Sequence, residues 1–290
     1  MTYESIQELI AEATAKKMTL SQLILKDQAE SMGISEDAVI ERMDKELTVM
    51  EESAAKGRQK DLRSTSGLSG GDSYKMASYQ AAKGSLSGEF CAAAISTALA
   101  VAEYNASMGR IVAAPTAGSC GILPAAVLTM MEKKQTGRRD ACMALVTAGG
   151  VGMVIANVAS IAGATGGCQA ECGSAAAMAA AALVELNDGT PEMAGHAMAI
   201  SIKNQLGLVC DPVAGLVEVP CIKRNAGSIM CAIMAADLAL AGIKSVIPID
   251  EVLSAMNEVG STLPCALRET AQGGLATTPT GLKLAESILG

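Results

Sequence analysis

Tryptophan is missing from this 290-residue chain, phenylalanine occurs once, at position 90, and tyrosine four times. With half of the residues hydrophobic, the interior must be filled by Ala, Gly, Met, Ile, Leu and Val. Small side chains let helices approach closely and Met fills irregular gaps, so the composition favours helix packed on helix over a sheet sandwich. Sustained apolar-polar alternation is also missing, which removes the signature of half-buried strands and leaves an all-α architecture. No basic stripe exists: a net charge of -8 argues against a nucleic-acid backbone as partner, since few Lys or Arg could displace its counterions. No internal repeat is evident. The single histidine, His196, lies in a helical pattern and reads as a structural residue.

What is present begins with nine cysteines. Their number is odd, their spacing irregular and no signal peptide precedes them, so they suit a reducing cytoplasm better than a disulfide framework. Residues 141–170 carry no charge, a run long enough to span a bilayer. Its Ala and Gly content, Asn157 and the absence of flanking Trp or Tyr favour a buried helix over a membrane span.

Charge is concentrated in residues 1–63, which read as a separate helical N-terminal module, and residues 64–290 as a small-residue-rich multi-helix domain. In the module, the spacing of Ile6, Leu9, Ile10 and Ala13 predicts a helix between Thr2 and Lys17. Thr19 and Gln22 form a capping box for a second helix to about Met32, and Ser35 caps a third to about Lys56. This amphipathic module is either a packing appendage or a docking surface for a partner. Residues 57–71, GRQKDLRSTSGLSGG, read as a linker or an active-site loop. Further helices are expected at Glu89–Met108, from Ile122, at Asp140–Gly166 with a bend at Gly149, Gly150 and Gly152, at Ser174–Leu186, and after Thr190 and Pro191. Two more follow at Ile222–Ala241 and Asp250–Val259, and Thr262–Gly290 reads as a polar tail.

Three cysteines stand apart from the apolar helical runs. Cys168 lies in GATGGCQAEC, and Cys210 and Cys221 lie in GLVCDPVAGLVEVPCIKRN, where Pro212, Gly215 and Pro220 prevent a regular helix from passing through both. Such backbone can fix thiolates and offer N–H groups to a cluster, but widely spaced cysteines can also be simple packing residues. Upstream, Pro115, Thr116, Gly118, Ser119 and Gly121 form a loop before a helix start, whose free N–H groups suit a carboxylate or serve an ordinary connection.

GCQAECGSAAAMAAA, CDPVAGLVEVPCIKRNA and SMGRIVAAPTAGSCGILPA together resemble the alpha chain of the iron-sulfur-dependent L-serine dehydratases, and the resemblance runs from about Ser64 onward. It implies an L-serine ammonia-lyase of amino-acid catabolism and gluconeogenesis that deaminates L-serine to pyruvate and ammonia. It further implies a 4Fe-4S cluster held at three corners by Cys168, Cys210 and Cys221, with the fourth iron open to the substrate hydroxyl as a Lewis acid. Ser66, Lys75, Asn105 and Thr116 are the nominated substrate contacts. Cys172 competes with Cys168, four residues away, but Gly166 and Gly167 favour Cys168 as the loop ligand. Cys120 is not nominated, because single-chain relatives tend to have Asn-Gly-Ala-Ala where this chain has Ala117 to Cys120. Lys75 also invites a pyridoxal phosphate reading, which the missing strand-helix alternation argues against. The family's serine-rich motif ending in His-Thr does not occur, nor does the terminal cysteine of some single-chain relatives, since the sequence ends in Leu289 and Gly290. The expected assembly is therefore a hetero-oligomer with a beta subunit. The competing reading is a non-catalytic helical scaffold whose cysteines pack.

Overall fold

The computed structural model describes residues 3–290. Among these residues there is no strand, and thirteen α-helices follow one another. They are α1 (Ile6–Lys16), α2 (Leu20–Met32), α3 (Glu36–Gly57), α4 (Asp72–Lys83), α5 (Gly88–Ala106), α6 (Ile122–Lys134) and α7 (Arg138–Val158). The remainder are α8 (Gly163–Gly166), α9 (Ser174–Glu185), α10 (Pro191–Lys203), α11 (Cys221–Leu240), α12 (Ile249–Thr262) and α13 (Pro279–Leu289).

The helix at the centre is α9. Its sequence, SAAAMAAAALVE, has no polar face, and every residue from Ser174 to Val184 is buried. Alanine leaves little between backbones, so α6, α7, α10 and α11 can all pack around it. The first three helices share this core: Ile6, Leu9, Leu23, Ile24 and Leu47 are buried in the same apolar cluster as α7, α9 and α10. Glycines provide the sockets. Gly150 of α7 makes room for Ile24, and a Cβ at Gly195 of α10 would stand 2.6 Å from Ile10 Cδ1.

Local chemistry sets most helix starts. Ser5 caps α1 by accepting from Glu8 N, the Thr19/Gln22 capping box is formed, Ser35 caps α3 and Thr190 caps α10 ahead of Pro191. Each such cap is worth about 1 kcal/mol. Because Ser5 is extended, α1 opens at Ile6; Thr2, where the apolar pattern was expected to begin, lies outside the described residues.

Three boundaries differ from expectation. α7 stops at Val158, well before Gly166, because Ala159 is extended and the Ser160 hydroxyl accepts from Ala162 N to begin a separate turn. Cys221 is not on irregular backbone but is the first residue of α11, with Pro220 as the preceding cap. The segment expected as a polar tail folds into two 3₁₀ turns and α13, which Thr278 caps with Pro279 in its first turn. α7 is the one described helix long and apolar enough to cross a membrane, and most of that stretch is buried against its neighbours.

One contact fixes how close α3 comes to α5. Gly57, the last residue of α3, meets the backbone carbonyl of Ala100 with no space for a Cβ. Gly57→Ala is expected to destabilise the chain by about 3 kcal/mol, since backbone must move to admit the methyl. Urea unfolding checks this; an unchanged midpoint would mean that the two helices can part at no cost.

Candidate active site

The thiols come together through backbone and amide contacts made by their neighbours. Cys168 follows Gly167, which has φ +75, and a Cβ at Gly167 would stand 2.6 Å from Leu263 Cδ1 and 2.9 Å from the Leu208 carbonyl oxygen. Only glycine satisfies both the left-handed backbone and the close approach. Cys168 leads into a π turn, Gln169–Gly173, that runs on into α9. Gln169 ties this turn to the strand-like approach to Cys210. Its N–H donates to Leu208 O at 3.0 Å, its Oε1 accepts from Gly207 N at 2.9 Å, and its Nε2 donates to Met256 O at 2.8 Å.

Cys210 is held on both sides by the segment before α13. Its N–H donates to Leu267 O at 2.9 Å and its carbonyl accepts from Glu269 N at 2.8 Å, an isolated parallel bridge centred on Arg268. Cys221 is anchored by Asn225, one helical turn on. The Asn225 amide donates to Cys221 O at 2.9 Å and to Gly118 O at 2.7 Å, and accepts from Gly121 N at 2.9 Å. One side chain thus draws the 114–121 loop onto the start of α11.

Cys168, Cys172, Cys210 and Cys221 are all buried. Burial raises the Cys210 thiol, and so would negative charge on Cys168, Glu171 and Cys221, which places these groups within one electrostatic neighbourhood. Cys221 is pushed up to about 12 by burial and by the same charges, with Arg224 opposing. Cys168 differs: a hydrogen bond from Cys172 and the Arg224 guanidinium lower it, against the effect of burial. The two sulfurs stand 3.4 Å apart, and Cys172 is correspondingly raised. Arg224 is itself fixed, donating to Val209 O at 2.7 Å and to Asp211 Oδ1 at 2.8 Å. Buried thiols of raised pKa ionise when a cation arrives to compensate them.

Does this donor set suit a metal group? Among the described residues no three His, Cys, Asp or Glu side chains converge as the ligands of a single metal ion would. An iron-sulfur cluster asks for something else, thiolates that each bind a different iron, and Cys168 at the π turn, Cys210 on the bridged segment and Cys221 at the start of α11 offer buried thiols from three separate segments. Cys120 is buried against Ala54 and Val101 and its thiol is pushed up to about 12 by burial, as befits a packing residue.

The nominated substrate contacts divide into two sets. Thr116 lies in the 114–121 loop, its hydroxyl 3.1 Å from Ser119 Oγ and near enough to the Glu171 carboxyl to favour its charged form. Asn105 reaches the same loop at Ala117 O, 3.4 Å away. Ser66 is committed elsewhere: it donates to the buried carboxylate of Glu218 at 2.6 Å, as Ser69 does at 2.5 Å, and this pins the 57–71 loop three residues before Cys221. Lys75 is largely exposed on α4 and pairs with Asp72 at 2.8 Å, and Asp72 also receives Lys223 at 2.6 Å. Glu103, buried beneath, accepts from the N–H groups of Asp72 and Ser73 and anchors the start of α4.

Glu171, Arg224, Asn225 and Glu218 were not among the nominated residues. A signal for two of them exists in the sequence. Glu171 is the first charge after the long neutral run, and Asn225 lies four residues beyond Cys221 and so on the same helical face.

Fold and site together define an all-helical protein with a buried thiol centre assembled at helix ends. The family model described as serine dehydratase alpha chain matches residues 15–276. The chain is 50% identical over 288 residues to the probable L-serine dehydratase, alpha chain, of Bacillus subtilis (strain 168), covering 99% of this chain and 96% of that one. It is 45% identical over 286 residues to the L-serine dehydratase, alpha chain, of Peptoniphilus asaccharolyticus, covering 98% and 97%. L-serine dehydratase 1 of Escherichia coli (strain K12) is 45% identical over 181 residues, 62% of this chain but 40% of that protein. The chain belongs to the serine dehydratase alpha-chain family.

Proposed function

We propose that the chain is the alpha subunit of a cytoplasmic, iron-sulfur-dependent L-serine dehydratase that acts with a beta subunit and yields pyruvate and ammonia. The reading is supported by the match to the serine dehydratase alpha-chain family together with the burial of Cys168, Cys210 and Cys221, each fixed through neighbouring backbone. These three would hold a 4Fe-4S cluster, which supplies Lewis acidity to make hydroxide a tolerable leaving group.

The chain's own residues do the remaining work of binding and enclosure. The 114–121 loop, held by Asn225, presents Thr116 and, through Ala117, Asn105 to a bound amino acid. Glu218, three residues before Cys221, holds the 57–71 loop through Ser66 and Ser69, so Ser66 acts as a positioning residue. Burial excludes water from the thiols, which strengthens each electrostatic contact there. The α-proton needs an acceptor. His196 is on α10 beside Glu192 and Lys244, against α1, and not among the thiols; because alpha chains are named as one of two subunits, the acceptor is assigned to the beta subunit. After water is lost, aminoacrylate tautomerises to an imine and hydrolyses without help.

Anaerobic reconstitution tests the reading. The chain refilled with iron and sulfide should retain about four irons, as a cubane cluster requires, and with its partner should form pyruvate from L-serine. A folded chain that takes up no iron would overturn it.

A further inference from the structure

Glu171 lies in the π turn between Cys168 and Cys172, and two residues without side chains make room for its carboxylate. A Cβ at Gly118 would stand 3.2 Å from Oε2 and one at Gly163 would stand 2.7 Å from it. The same Gly163 position is 3.2 Å from Cys210 Sγ, so the carboxylate and that sulfur border a common spot.

No lysine, arginine or histidine forms an ion pair with Glu171 among the described residues, and Arg224 is engaged by Asp211 and Val209. The polar neighbour that favours its charged form is the neutral hydroxyl of Thr116. A half-buried carboxylate without a counter-charge carries a desolvation cost, and a cationic ligand would recover it. An α-amino acid carries such a cation on the carbon next to the one that bears the serine hydroxyl.

We infer that Glu171 binds the α-ammonium of L-serine and so selects amino acids over carboxylic acids of the same skeleton. The inference rests on the proposed function, since it takes L-serine as the substrate. It assigns to one carboxylate the discrimination between serine and an ammonium-free analogue, while the loop around Thr116 receives the rest of the molecule.

The test uses the reconstituted chain with its partner and compares L-alanine with propionate, unreactive ligands that differ only by the ammonium group. Calorimetric titration should show the wild type binding L-alanine about 10–100-fold more tightly, the span expected for a charge-assisted hydrogen bond. Glu171→Gln should bring the two affinities together and raise KM for L-serine by a similar factor, with iron content unchanged. Should that variant not fold, Glu171→Asp, which withdraws the charge by one methylene, must reduce the preference several-fold. A wild type without the preference, or a Glu171→Gln protein that keeps it while converting L-serine, overturns the inference and leaves the proposed function standing. A cluster-loaded wild type that neither binds L-alanine nor converts L-serine overturns both.

Discussion

Cys168→Ser, Cys210→Ser and Cys221→Ser are each expected to abolish iron retention and L-serine dehydration. A serine hydroxyl is a hard, weakly ionised donor where iron and sulfide favour a soft thiolate. The loss should exceed the ~10–100-fold typical of changing a residue that only supports a ligand. Iron analysis after anaerobic reconstitution checks it. Cys120→Ser and Cys172→Ser should keep their iron, and any effect should appear in stability or KM. The pair Cys168 and Cys172 makes the sharpest comparison, because their sulfurs are 3.4 Å apart on one π turn. If Cys172→Ser loses iron and Cys168→Ser retains it, the first ligand is displaced by one turn.

The purified chain alone should convert L-serine poorly or not at all, and adding a separately produced beta chain should raise the rate by about 10²–10⁴, the usual worth of a positioned acid or base. The expectation follows from membership of the alpha-chain family, and the two side chains first suspected of proton transfer stand away from the thiols: His196 lies against α1, and Lys75 is exposed and paired with Asp72. Pyruvate formation measured with and without the partner decides the matter. Full turnover by the single chain would move the acceptor into this chain, with Lys75→Met and His196→Gln the first variants to examine.

Helix starts were legible in the sequence wherever one residue type at one spacing does the work. Thr19 with Gln22, Ser35, and Thr190 with Pro191 are such cases, and the Ala run of α9 announces a helix buried on all sides. The cysteine motifs likewise carried the resemblance to the serine dehydratase alpha chain, which the family match bears out. What was not legible depends on distant segments meeting. Gln169 bonding to Gly207 and Met256, Asn225 bonding to Gly118 and Gly121, and Ser66 turning to Glu218 leave no local trace. The glycines of α7 illustrate the ambiguity: the same residues can permit a bend or admit a neighbour, and only Ile24 and Met178 reveal that Gly150 and Gly152 admit neighbours.

The bridge at Cys210 has a consequence for the order of events during synthesis. Cys168, Cys210 and Cys221 leave the ribosome well before residues 267–269, yet Cys210 acquires its two backbone partners only once that segment exists. Asp211 then takes a further bond from Leu275 N at 2.7 Å while holding Arg224. A nascent chain interrupted before Arg268 would therefore present its sulfurs without the brace that orients the middle one, and iron offered at that stage would meet an unfinished receptor.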